Sequence, residues 1–424
     1  MPGRRELAIA LHETAAGLAQ DAARRTLGKK SLFFCQSRAL TEDVAQKMRG
    51  QGTEVFVHHG SVSKEERLAA EERFHHGTDA CIVCTSTLEL GIDVGDLDLV
   101  FQAEAPATVS SFLQRMGRTG RRAGQTANTC FLCEEPASVL QAAALVELAR
   151  EGFVESVPVM TRCWPVLVQQ LLAMTLQFGA GSPEKCWEQI SVVPDFSGIA
   201  RDEFDRVLEH MKKEDYLFES GGLLSMGQKA EKAFGEKNFI ELYAVFSGPV
   251  LYRVQTATRR ELGSLDQAFV DRLAEEMSAF LLAGRPWLVE SVNHEERTVR
   301  MRVAPAGAKP KWGGYLPQFL GFEVCQRMKL LLTEIIALPY LEPTAAKALQ
   351  ASRDDMGALL RRPLALQTDD DAAALWWTFA GGRINQTLKH AMEWSQGWKV
   401  SSDNFRLRIT GPGVFDEGSC RKCR

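Results

Sequence analysis

Between Leu32 and Cys133, five short apolar runs alternate with helix-length amphipathic stretches, and that alternation restricts the region to a parallel sheet covered by helices. The runs are Ser31 to Cys35, Glu54 to His58, Ala80 to Cys84, Leu97 to Phe101 and Asn128 to Cys133. Between the first two, Thr41 is the expected N-cap of a helix whose first turn holds Glu42 and Asp43. Leu40, Val44 and Met48 form its apolar stripe and Gly50 stops it. Ligands bind such sheets at the carboxyl ends of the strands, so chemistry is expected in the residues that follow each run.

Past residue 155 the pattern becomes helix, helix, helix, hairpin. Phe204, Val207, Leu208 and Met211 sit at helical spacing behind Asp202, and Gly221-Gly222 separates two short apolar arms between Tyr216 and Ser225. That order outlines a winged helix. From Asn238 to Val303 the chain is strand-rich. There Val299, Met301 and Val303 alternate with Thr298, Arg300 and Arg302, which predicts one buried face and one basic face. Ala345 onward is mixed.

The whole chain of 424 residues is long enough for about three domains. Its 50 Lys and Arg against 54 Asp and Glu exclude a generally basic binder, so any nucleic-acid contact must come from local concentrations of Arg and Lys. No apolar run reaches the ~18 residues of a membrane span, and the first residues lack a signal-peptide pattern, which predicts a cytoplasmic protein. Ten Cys include three Cys-x-x-Cys pairs. Cys81/Cys84 and Cys130/Cys133 fall in strand-like runs, where residues three apart face opposite ways and cannot share a metal. Cys420/Cys423 could form half of a zinc knuckle in a Gly- and Lys/Arg-flanked tail. No metal site is expected. All eight Trp follow residue 160; Trp164, Trp187, Trp287, Trp312, Trp376 and Trp377 are either stacking platforms for bases or core residues.

The densest chemical signal runs from Thr85 to Arg122. Thr85, Ser86 and Thr87 follow a strand and precede Leu88-Glu89-Leu90-Gly91-Ile92-Asp93, so hydroxyls and backbone N–H groups converge where a phosphate would be held. Gln114-Arg115-Met116-Gly117-Arg118-Thr119-Gly120-Arg121-Arg122 then places four Arg in eight residues. On a helix Gln114, Arg118 and Arg121 would share a face, and clustered guanidinium groups suit a polyphosphate.

In order, spacing and strand context, Ser31 to Arg38, His58-His59-Gly60-Ser61, Thr85 to Asp93 and Gln114 to Arg121 resemble the motifs of the second RecA-like lobe of superfamily 2 DEAD/DEAH-box-type helicases. Gly235 to Tyr243, Glu261-Leu262-Gly263-Ser264, Gly284-Arg285-Pro286-Trp287 and Phe379 to Asn385 further resemble the large-helicase-related (Lhr) family, whose motor is followed by a winged helix and a strand-rich barrel-like domain. The resemblance implies a multidomain α/β chain. Residues 1–155 would be the RecA-like carboxyl-terminal lobe, 156–234 a winged helix, 235–345 the barrel-like α+β domain and 346–424 its α/β extension.

It also implies that Arg118 and Arg121 are arginine fingers reaching the γ-phosphate of ATP, with Gln114 supporting them. Gly91 would allow close backbone approach, and Asp93 would sit near the ribose or the catalytic cleft. Ser37 and Arg38, Gly60 and Ser61, and Thr85 and Ser86 would grip a nucleic-acid backbone, a kind of contact that carries little sequence information. By analogy the substrate is single-stranded DNA, with RNA:DNA duplexes as an alternative, the movement 3′ to 5′ and the setting DNA repair.

A two-lobe motor also needs a Gly-x-x-x-x-Gly-Lys-Ser/Thr loop and an acidic pair for Mg2+. Gly28-Lys29 has Ala23 at the first Gly position and Lys30 where Ser or Thr is required, and Asp202-Glu203-Phe204-Asp205 opens an amphipathic helix instead of ending a strand. ATP with Mg2+ is therefore expected to be held mainly by a first lobe. That lobe would be supplied by another polypeptide or lost by truncation, and the chain alone would be inactive. The same residues also fit a non-catalytic nucleic-acid-binding scaffold.

Overall fold

The computed structural model describes residues 5–89, 97–120, 127–157, 159–179, 181–235, 242, 250–267, 269–271, 279–304, 319–369 and 373–411. Contacts divide the chain into two compact units, one of residues 1–155 with 251–424 and one of residues 156–250.

The first unit begins with strands and helices in alternation: β1 (Arg5–Leu11), α1 (Ala15–Thr26), β2 (Lys30–Phe34), α2 (Arg38–Met48), β3 (Glu54–His58), α3 (Lys64–His76) and β4 (Ala80–Cys84). A single 3-10 turn (Ser86–Leu88) follows, then β5 (Leu99–Ala103), α4 (Val109–Met116), β6 (Ala127–Cys133) and α5 (Pro136–Arg150). The strands form one six-stranded sheet in the order β1-β6-β5-β2-β4-β3, parallel at every pairing. Three of the five runs read as strands are displaced by a residue or two, and Glu54 to His58 and Ala80 to Cys84 match residue for residue. The sixth strand, β1, was not anticipated; its sequence has only weak alternation.

Cys81 packs on the sheet face that carries Val44 and Met48, whereas Cys84 packs with Phe74 and Leu88 on the other. Cys130 and Cys133 divide in the same way. Among the described residues no group of His, Cys, Asp or Glu could hold a metal, and Cys420 and Cys423 lie outside them. No described helix is long and apolar enough to cross a membrane. The cap of α2 is Ser37, not Thr41: the Ser37 hydroxyl accepts from the Leu40 N–H at 3.1 Å, and Thr41 Oγ1 donates to the Ser37 carbonyl at 2.9 Å. The helix starts four residues early because the turn out of β2 is short.

The second unit holds α6 (Trp164–Phe178), α7 (Pro183–Ser191), α8 (Arg201–Lys213), the hairpin β7 (Leu217–Ser220) and β8 (Leu223–Met226), and α9 (Gln228–Phe234). Phe204, Leu208 and Met211 of α8 are buried against Leu171, Ile190 and Leu224.

After residue 250 the first unit resumes with β9 (Leu251–Thr256), β10 (Glu261–Asp266), β11 (Ala279–Leu282), β12 (Arg285–Asn293) and β13 (Thr298–Val303), in the order β10-β9-β13-β12-β11. Val299 and Met301 are buried and Arg300 and Arg302 exposed, but Val303, where the strand runs out past the core, is 63% exposed. Trp287 is a core residue whose indole N–H donates to the Leu282 carbonyl at 3.0 Å.

Two helices, α10 (Phe322–Thr333) and α11 (Pro343–Leu360), pack with α5 and β1 into one core that includes Val324, Met328 and Leu349. Between them Tyr340 to Glu342 lies alongside β1, with Ile9 N–H donating to the Tyr340 carbonyl and Glu342 N–H to the Ile9 carbonyl, both at 2.9 Å. A four-stranded sheet, β14 (Leu366–Thr368), β15 (Ala374–Trp377), β17 (Arg406–Thr410) and β16 (Lys399–Ser402), completes the unit with α12 (Gly382–Gln396). On α12 Trp394 is 92% exposed.

Candidate nucleotide and nucleic-acid site

β2, β4 and β3 are neighbours and run parallel, so the segments after them emerge side by side at one edge of the sheet. These segments carry Ser37 and Arg38, Thr85 and Ser86, and Gly60 and Ser61 respectively. Their side chains have divided duties. Arg38 is exposed, and its Nη1 donates to Ser61 Oγ at 2.7 Å. Ser61 itself is buried, and its carbonyl accepts from the Ser264 N–H at 2.9 Å. Ser37 is committed to the α2 cap. The structure thus leaves Arg38, Gly60 and Ser86 exposed, while Ser61 orients the Arg38 guanidinium.

The loop between β3 and α3 is fixed from below. His58 spans Thr87 Oγ1 through Nδ1 at 2.9 Å and Glu71 Oε1 through Nε2 at 2.8 Å. The Ser61 N–H donates to His59 Nδ1, so the His59 proton is assigned to Nε2, which donates to the fully buried Glu42 carboxylate at 2.9 Å. Glu42 also accepts the Gly284 N–H. Gly263 comes so close to the loop that a Cβ there would stand 1.7 Å from the Ser61 carbonyl oxygen. The five-stranded sheet is thereby tied to this loop at two points.

The Arg-rich segment does not continue the helix. α4 ends at Met116, the Gly117 N–H returns to the Leu113 carbonyl, and Arg118 and Thr119 form tighter turns on Arg115 and Met116. Thr119 Oγ1 donates to the Met116 carbonyl and accepts from the Asn128 N–H, drawing the chain into β6. The expected helical face shared by Gln114 and Arg118 is therefore absent: Gln114 is exposed and Arg118 is 7% exposed. Gly91, Asp93 and Arg121 lie outside the described residues.

What holds the cluster together is Glu89. Its Oε1 accepts from Arg115 Nε at 2.8 Å and Nη2 at 2.7 Å, and its carbonyl accepts from Arg118. The Arg115 guanidinium also lies over the Phe34 ring, 5.1 Å from its centre. The amino end of α4 is taken by Glu155, whose carboxylate accepts from the N–H groups of Val109 and Ser110 at 2.6 and 2.9 Å. Burial pushes that carboxyl up, but these donors hold it below the usual range. Guanidinium groups fixed in this way suit the anionic end of a polyphosphate. Glu89, the nearest acid, is engaged, which leaves no acidic pair for Mg2+ among the described residues of the cluster.

The helicase conserved C-terminal domain family matches residues 15–123. The ATP-dependent helicase Lhr-Core of Methanocaldococcus jannaschii is 29% identical over 412 residues, covering 91% of this chain and 47% of that protein. The ATP-dependent helicase Lhr-Core protein 2 of Thermococcus barophilus is 27% identical over 338 residues, covering 74% of this chain and 38% of that protein. In fold, the chain superposes on the Mycobacterium smegmatis helicase Lhr, solved bound to ssDNA and AMP-PNP, with a TM-score of 0.68 over 97% of this chain and 56% of that one, at 19% identity. The chain is similar to part of the carboxyl-terminal region of Lhr-type superfamily 2 helicases. It covers about half, or less, of the length of these curated relatives.

In this Lhr-type region the six-stranded sheet is the RecA-like carboxyl-terminal helicase lobe. Sequence reasoning missed two of its polar residues. One is Glu89, which lies within the Thr85 to Asp93 segment and organises both Arg115 and Arg118. The other is Gln102 of β5, fully buried beside Phe34, with neither amide atom hydrogen-bonded among the described residues. Its one signal is a polar side chain directly after the apolar run Leu97 to Phe101.

Proposed function

We propose that this chain is the second motor lobe, with accessory domains, of an ATP-driven nucleic-acid translocase that moves 3′ to 5′ on single-stranded DNA and serves DNA repair. The observation that carries the reading is the alignment of three strand-end segments on β2, β4 and β3, with Arg38 exposed and oriented at their centre. A solved relative in fold was bound to ssDNA and AMP-PNP, which supports the same pairing of ligands here. In this reading Arg38, Gly60, Thr85 and Ser86 contact the strand backbone, with Ser37 and Ser61 shaping the surface. Arg118 and Arg121 reach the γ-phosphate, Gln114 supports them, and Gly91 and Asp93 line the nucleotide cleft. Residues 156–234 act as a winged helix and the five-stranded sheet as the barrel-like domain.

No P-loop occurs in these 424 residues, so ATP and Mg2+ are held mainly by a first RecA-like lobe outside them. Bound there, ATP supplies the phosphoryl group whose charge the Arg side chains meet. The test is DNA-stimulated ATP hydrolysis by the chain complemented with a P-loop lobe. Arg118→Ala should lower turnover by about 10³-fold or more, as for other arginine fingers, with strand affinity kept within about twofold. Unchanged turnover would remove Arg118 from the site, and no turnover under any complementation would favour a nucleic-acid-binding scaffold.

A further inference from the structure

A cleft of about 410 Å³ runs along the outer edge of β3, between the motor sheet and the five-stranded sheet. It runs from Glu54, at the amino end of β3, to Val62, beside the strand-end segment that carries Ser61. Its floor is apolar, built from Val55, Phe56 and Trp287, and four Arg stand around it. Two of these are neutralised: Arg73 pairs with Glu54 and Arg260 with Glu66. The other two, Arg49 and Arg285, have no carboxylate within ion-pair distance among the described residues.

Arg49 is held where it is by the fold. Its guanidinium rests on Gly284, where a Cβ would stand 2.0 Å from Nη2, and its one side-chain hydrogen bond among the described residues is a 3.5 Å approach to the Ala283 carbonyl. Burial pulls this guanidinium below its ordinary value. The Arg285 charge pulls it the same way, against the Glu42 carboxylate, which is already bonded to His59 and Gly284. Two like charges in a partly buried cleft oppose folding, and an anion between them reverses the sign of that contribution. Guanidinium groups meet phosphoryl oxygens with charge-assisted, often bidentate hydrogen bonds. The volume falls in the range of small-molecule sites, as does the combination of an apolar floor with a few fixed polar groups.

We infer that this cleft is a second anion site, distinct from the nucleotide cleft, and that it takes a phosphate-bearing ligand shared between Arg49 and Arg285. The ligand is either a free small phosphate compound or a backbone phosphate of the bound strand.

Isothermal titration of the chain with inorganic pyrophosphate tests the site. One saturable event is expected, weakened at least tenfold by Arg285→Gln and by Arg49→Gln and unaltered by Arg118→Ala. Arg285 is exposed, so Arg285→Gln keeps the test open if Arg49→Gln fails to fold. Absence of a saturable event, indifference to Arg285→Gln, or loss with Arg118→Ala would each overturn the assignment. Competition by a dT oligonucleotide that disappears in Arg285→Gln assigns the ligand to the strand backbone. Lack of competition assigns it to a free phosphate compound.

Discussion

Replacing Arg115 with Met would leave the Glu89 carboxylate, 12% exposed, without the cation that holds it through two contacts of 2.7 and 2.8 Å. Breaking such a pair from one side costs about 3–5 kcal/mol, because the remaining charge stays desolvated, and the lost contact with Phe34 adds roughly 1 kcal/mol. Removing both charges with Arg115→Met and Glu89→Met together should restore most of that loss, since an apolar pair of similar volume often matches a buried ion pair. Native-state hydrogen exchange of the β2 and β4 amides reads the difference directly. At about 1.4 kcal/mol per factor of ten, exchange should accelerate by roughly 10³ to 10⁴ in Arg115→Met and by no more than about tenfold in the double variant. The coupling follows from the two single variants and the double one. If the double variant exchanges as fast as Arg115→Met alone, Glu89 is not the group that makes Arg115 necessary and the account of the cluster fails.

Arg38→Ala should weaken single-strand binding and lower the slope of log affinity against log salt by about 0.7 if one phosphate contact is lost; an unchanged slope measured from 50 to 300 mM salt would place the strand elsewhere. Asp21 is held well below the usual carboxylate range: burial pushes it up, but hydrogen bonds from His12 and Arg24 and the charge of Arg25 outweigh it. A depressed acid stabilises the fold above its unfolded value near 3.9 and loses that contribution as pH falls. The melting temperature of the natural chain should therefore exceed that of Asp21→Asn at pH 7, and the gap should narrow progressively as pH falls below about 4; a constant gap would contradict this. Burial pushes the Cys81 and Cys130 thiols up to about 12. Iodoacetamide at pH 8 should leave both unmodified in the native chain while labelling the partly exposed Cys163, as peptide mapping would show.

Most of the motor sheet was legible because five of its six strands are short apolar runs flanked by turn residues, whereas β1 is not. Ser37 and Thr41 illustrate a limit of local reading. Both are good caps four residues apart, and the length of the turn out of β2 decides between them. Arg118 illustrates another, since helical spacing continues past Met116 on paper while Gly117 and the Thr119 hydroxyl turn the chain. Ser61 looked like a group that grips a strand, but its carbonyl is taken by Ser264, about 200 residues away in sequence. Nothing near Ser61 announces that contact. The buried Glu42 is a similar case, because a carboxylate in the first turn of a helix reads as solvated until His59 and Gly284 are brought to it. What stayed hidden was the long-range pairing that joins the motor lobe to residues 251–411, and what was visible was local.

The segment Tyr340 to Glu342 that lies alongside β1 has a consequence for how the protein is made. During synthesis the six strands of the motor sheet leave the ribosome about two hundred residues before the segment that borders β1 and the helices that share the core of α5. At 5–20 residues per second, the nascent sheet waits roughly 10 to 45 s with a strand edge and an apolar helix face uncovered. The Arg25–Glu342 ion pair, 2.6 Å long, joins the first helix to a residue that has not yet been translated during that interval. A nascent chain stalled before residue 320 should therefore be held by chaperones, and one stalled well past residue 360 should be released.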